Sequence, residues 1–171
     1  MRAIAVAVLF VTALIGCGGG DGDGDGDRHG DEGSFVADVR PAIEAVEAVL
    51  GSGQEYFEVT ATPRLVNVFV AIDEATAAVP YVYLGGELQS PAPALTGASG
   101  FTFTADAVDF DETTILDAVS AELPDSTIEA LSIEGGDGGA VRYVVSTLSS
   151  EGGRLDVTVT ADGAVLEVDP V

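Results

Sequence analysis

The apolar positions change period twice along the chain. Residues 34–50 carry Phe35, Val39, Ile43, Val46 and Leu50 at helical spacing. Pro41 interrupts that stretch, which predicts a kink or a helix start there, and Gly51-Ser52-Gly53 should end it. Two-residue alternation takes over at 55–62, with Phe57, Val59 and Ala61 expected on one face. Residues 65–72 are apolar on both faces, as in a central or covered strand. A third strand is expected at 79–84, turned by Gly85-Gly86. Residues 90–100 read as a Pro/Ala/Gly linker, and 101–110 add a short strand. Helical spacing returns at Ile115, Leu116, Val119 and Leu123, with Asp111 as N-cap and Pro124-Asp125 as the stop. Four strands should follow at 127–134, 140–148, 154–160 and 164–168. Their links are hairpin turns at 135–139, 149–153 and Asp162-Gly163, the last a strong two-residue turn signal. Leu155, Val157 and Val159 oppose Asp156, Thr158 and Thr160, so this sheet should have one wet face.

The order helix-then-strands occurs twice, over about 34–89 and 101–171. This predicts an α+β fold of two helix-plus-antiparallel-meander halves, with the helices packed on one face of the sheet.

The N-terminal segment changes the picture from fold to location. Met1-Arg2 gives a short positive start, and residues 3–15 are apolar except for Thr12. That run is short for a bilayer span and suits the apolar region of a signal peptide. It ends in Leu14-Ile15-Gly16-Cys17, which looks like the lipobox of bacterial lipoproteins. Small residues before the cut admit a peptidase, and the Cys17 thiol would take diacylglycerol as a thioether. Cys17 is the only cysteine, so no disulfide competes for it. A plain secretory signal with an incidental cysteine, or a buried helix, is the alternative. The expected organisation is a signal peptide at 1–16, lipidated Cys17 with a Gly/Asp-rich tether at 17–33, and an exported domain at 34–171. The sixteen residues 18–33 would reach roughly 20–25 Å as a flexible coil.

Within the tether, Asp21, Asp23, Asp25, Gly26 and Glu32 match the spacing of an EF-hand calcium loop. No helix signal precedes Asp21, Arg28 stands where an aliphatic residue is usual, and a Gly-Asp repeat generates the pattern unaided. A solvated spacer is therefore the expectation, with no metal or other cofactor. His29, the only histidine, belongs to the same spacer.

Charge narrows the function classes. The chain has 29 acids against six arginines and no lysine, a net charge of −23. Such a surface repels nucleic acid, since it offers little to pair with phosphates. A GC-rich genome or a salty habitat would each explain the missing lysine. After Gly33 there is no histidine, lysine or cysteine, which removes Ser-His, Cys-His and Ser-Lys nucleophile pairs and zinc sites. No phosphate-binding glycine motif follows a strand, and Gly135-Gly136-Asp137-Gly138-Gly139 suits a hairpin loop. Carboxylate pairs of the glycosidase kind are available, but the domain is small and lacks Trp. No enzyme activity is expected.

The stretch 115–168 resembles the PepSY-type module of bacterial envelope proteins. The resemblance rests on the hairpin Arg154-Leu155-Asp156-Val157-Thr158-Val159 and Asp162-Gly163-Ala164-Val165-Leu166-Glu167. In layout the exported part is similar to small uncharacterised actinobacterial lipoproteins with two such halves. The resemblance implies binding, inhibition or chaperoning in the envelope and carries no catalytic residue over. The expectation is a lipid-anchored protein on the extracytoplasmic face of the cell membrane. It would bind an envelope protein non-catalytically, or alternatively carry an apolar ligand such as a lipid in a groove between helix and sheet, as the doubly apolar residues 65–72 suggest.

Overall fold

The structure is a computed structural model that describes residues 35–171. The signal peptide, Cys17, the tether and the calcium-like residues Asp21, Asp23, Asp25 and Glu32 lie outside the described residues.

A 3-10 turn, Val36–Asp38, leads into helix α1, Val39–Leu50. Pro41 is the third residue of α1, where a missing N–H costs nothing, so it marks the start of the helix. Val39, Ala42, Ile43 and Val46 form its buried stripe. Gly51, at φ 93°, ends it by donating its N–H to the Glu47 carbonyl at 2.8 Å.

Strands β1 (Glu55–Ala61), β2 (Val66–Ile72) and β3 (Ala77–Leu84) follow as an antiparallel meander. A register shift between Tyr56 and Glu58 corrects the expected alternation of β1. The bulge puts Tyr56 in the core beside Val59 and Ala61, and leaves Phe57 half-buried. Three two-residue strands come next: β4 (Glu87–Leu88) and β5 (Leu95–Thr96) against β3, and β6 (Phe103–Thr104) against the start of β1. The strand expected over 101–110 thus shrinks to β6, followed by the 3-10 turn Ala105–Ala107.

Helix α2, Glu112–Glu122, begins where the Asp111 side chain accepts the Thr114 N–H at 2.7 Å. That bond favours the ionised carboxylate and holds the Asp111 pKa below its usual value. Strands β7 (Ser126–Gly135), β8 (Val141–Ser149), β9 (Arg154–Val159) and β10 (Val165–Pro170) complete the chain.

All the pairings are antiparallel, and the main sheet runs β10-β9-β8-β7-β1-β2-β3-β4. This overturns the expected α+β fold of two helix-plus-meander halves. The protein is mostly antiparallel β-sheet, with one longer helical stretch over residues 36–50 and one short helix. The reason is the central pairing of β1 with β7, which places Val59 opposite Ile133 and Ala61 opposite Leu131. Local periodicity cannot show a pairing between residues some seventy positions apart. Once β1 and β7 join, the two apolar rows become one surface with one core. That core takes Val39, Ile43 and Val46 from α1 and Ile115, Leu116 and Val119 from α2, with rows from β1, β2, β3, β7, β8 and β9.

Candidate functional site

Cross-strand partners in an antiparallel sheet share a face. The row Val68–Val59–Ile133–Tyr143–Val159 therefore lies under the helices. The alternate positions form the opposite face: Glu58 and Thr60 on β1, Asn67 and Phe69 on β2, Ser132 and Glu134 on β7, Arg142, Val144 and Ser146 on β8, and Asp156 and Thr158 on β9. Among the described residues, both helices bury their apolar stripes in the core on the other side, which leaves this face without a helix.

Its polar groups form a ladder across the strands. Glu58 stands opposite Glu134, and Thr60 opposite Ser132 with their hydroxyls 3.0 Å apart. Thr60 also donates to Glu58 Oε1, and Arg142 donates to Glu134 through Nη2 and through Nε at 3.2 Å. Ser146 donates to Asp156 Oδ1 at 2.6 Å. Towards β2 and β3 the face turns apolar, with Phe69 between Glu58 and Pro80. The arrangement offers carboxylates and hydroxyls beside the half-buried Phe69 and Pro80, which suits flat recognition of another molecule.

Two carboxylates facing each other across β1 and β7 need compensation. Glu134 has it from Arg142, whose own pKa rises through that bond. Glu58 is held above the usual carboxylate range, chiefly by burial and then by the Glu134 charge, with the Thr60 hydrogen bond opposing the rise. A carboxyl with a raised folded-state pKa binds its proton more tightly in the native state. Its contribution to stability is present at low pH and is lost as pH rises through the folded pKa. Glu58→Gln keeps an acceptor for Thr60 and removes the charge. It is expected to raise the melting temperature by about 1–3 °C at neutral pH, with the gap to wild type closing as pH falls through the carboxylate range. Differential scanning calorimetry at several pH values checks this; a lower melting temperature for the variant at neutral pH would show that the ionised form is the stabilising one.

The sequence pattern identified a wet face only at Asp156, Thr158 and Thr160 of β9. Glu58, Thr60, Ser132 and Glu134 were missed, although each alternates with a core residue, because the β1–β7 register that brings them together is not local. Val66, Val68 and Val70, expected as either core or groove wall, are at most 1 % exposed and lie within the core. Among the described residues no cluster of three or more His, Cys, Asp or Glu could hold a metal ion, and no helix is long and apolar enough to cross a membrane.

The fold is similar to the crystal structure of a protein from Clostridium difficile 630, provisionally described as a lipoprotein. The TM-score is 0.52 at 10 % sequence identity, covering 76 % of this chain and 90 % of that one. At that identity the likeness establishes the fold alone. No family model matches the chain, the PepSY type included, and no curated protein matches it.

Proposed function

We propose that this chain is a lipid-anchored module of the bacterial envelope that binds a partner non-catalytically through its helix-free sheet face. The observation that carries the reading is that face itself. Among the described residues it runs from β10 to β4, and it presents Glu58 beside Phe69 and Pro80, with Glu134 and Asp156 further across the sheet. Acidic groups beside apolar ones favour a partner with a basic, partly apolar surface, steered in by the net charge of −23. The lipobox-like Leu14-Ile15-Gly16-Cys17 supports the anchor, and the fold shared with a provisionally described lipoprotein is in keeping with it. The alternative, an apolar-ligand carrier, loses its motivation because the Val66–Val68–Val70 row is core.

Two measurements test the reading. Intact mass spectrometry of the membrane-extracted protein should show acyl mass, and Cys17→Ala should abolish it. Acyl-free wild-type protein would remove the anchor. A photo-crosslinking residue at Thr158 on the helix-free face, compared in intact cells with one at the exposed Glu122 of α2, should capture an envelope protein preferentially. Equal capture from both positions would remove the face from the proposal.

A further inference from the structure

The two edges of the sheet are finished differently. Along β3, β4 covers Tyr83 and Leu84, and β5 covers Ala77 and Ala78. Between them the chain itself closes the edge: Gln89 donates its N–H to the Val82 carbonyl at 2.8 Å, and Ala92 donates to the Pro80 carbonyl at 3.0 Å. At the far edge, β10 pairs with β9 on one side and, among the described residues, with no strand on the other.

The ladder fixes which backbone groups that edge presents. The Val171 N–H bonds the Arg154 carbonyl at 3.1 Å. Bonded positions alternate along an antiparallel pair, so Glu167 and Asp169 turn their N–H and C=O groups to β9, while Val168 and Pro170 turn theirs outward. Pro170 suits such a place, because its missing N–H costs no ladder bond there. The side chains follow from the same register. Glu167 is opposite Thr158 and Asp169 opposite Asp156, which sets both acids on the helix-free face. Val168 is opposite Val157 on the helix side and is 38 % exposed. Among the described residues Asp156, Glu167 and Asp169 have no ion-pair partner, since Arg142 of β8 and Arg154 of β9 are taken by Glu134 and Glu129. At the start of β10 the exposed Leu166 lines an open, largely apolar cleft of about 380 Å³ together with Val141 and Ala161.

We propose that the β10 edge takes an extended, basic segment of a partner protein as an added strand. Strand addition draws affinity from main-chain bonds and selectivity from alternate side chains. Here the outward N–H and C=O of Val168 bond the incoming backbone. Lysines or arginines stand opposite Glu167 and Asp169, and apolar residues alternate with them beside Val168 and Leu166; opposite charges directly across a pair stabilise it. The same acids disfavour a second copy of this chain, because an antiparallel pairing centred on Val168 sets Glu167 against Asp169. Charge and proline on an exposed edge commonly serve that end. The inference rests on the recognition role proposed above and moves the contact from the face to its edge.

The test is NMR of the isotope-labelled full chain in detergent micelles at low salt, following backbone amides as capped hexapeptides are added. A peptide alternating valine and lysine should give saturable shifts at Val168 and its neighbours, at about millimolar affinity. With lysines opposite the acids, the valine N–H groups point to β10 and the lysine N–H groups point away. N-methylation of the valines should therefore abolish binding, and N-methylation of the lysines should leave it within about twofold. A peptide alternating valine and glutamate should not bind. Glu167→Gln combined with Asp169→Asn leaves the backbone ladder in place and should weaken the lysine peptide about fivefold. The edge is overturned if Val168 does not shift, or if both N-methylated peptides bind equally, which would mean charge attraction alone. Shifts gathered at Asn67 and Phe69 of β2 would also overturn it while keeping the helix-free face as the binding surface, and that face is tested separately by the crosslink at Thr158. Val168 shifts that follow protein concentration without peptide would assign the edge to a second copy of this chain and overturn the proposal as well.

Discussion

Gly135→Ala is expected to destabilise the protein by about 3 kcal/mol or more, a large part of the ~5–15 kcal/mol that holds a domain folded. A Cβ at Gly135 would press into the Phe101 carbonyl oxygen, 2.5 Å from the Phe101 carbonyl carbon and 2.9 Å from the Thr102 nitrogen. These are backbone atoms, so no rotamer change relieves the clash. Either the end of β7 must leave its pairing with Val141, or the segment that leads into β6 must lift off β1. The control is Gly138→Ala in the following turn. Gly138 has φ 68° and open space around it, so its cost is conformational alone, about 1 kcal/mol. Chemical denaturation of both variants separates packing from backbone preference. Equal losses would mean that the 101–102 backbone does not lie against β7.

That contact also marks the limit of what the sequence reveals. Periodicity placed the long strands, because a residue such as Val59 or Val157 declares its face through its immediate neighbours. Asp111 was legible as a cap for the same reason, since its partner is three residues away. The bulge at Phe57 was not legible: nothing local says that Tyr56 rather than Phe57 goes inward, and the choice is made by Val70 and Phe103 across the sheet. The halves failed more instructively. Each contains a helix and a meander in order, so the local pattern was sound, but an order of elements does not say which strand edges close on each other. β1 is the first strand of one set and β7 the first of the other, and their pairing turns two modest sheets into one.

The candidate site follows the same rule. The acidic excess was countable, whereas the placement of Glu58 against Glu134, and of Thr60 against Ser132, is a property of that pairing. Absent residue types were the most informative feature for function. With no histidine, lysine or cysteine after Gly33, the sequence offers no Ser-His, Cys-His or Ser-Lys pair there.

The seam between β1 and β7 gives the second large effect. Ile133→Ala is expected to cost about 3–4 kcal/mol, because Ile133 is 0 % exposed and sits between Val59 on β1 and Tyr143 on β8. More telling than the size of the loss is its extent. One core spans both sets of strands, so stability should fall everywhere at once. Backbone amides of β2 and β3 should lose hydrogen-exchange protection in step with those of β8 and β9, although Ile133 touches neither β2 nor β3 through a strand pairing. Two independently folding halves would behave differently: the β2 and β3 amides would keep wild-type protection while β7 to β9 loosened. Native-state hydrogen exchange read by NMR distinguishes the two outcomes, and preserved protection in β2 and β3 would show that the β1–β7 pairing joins two separate cores rather than building one.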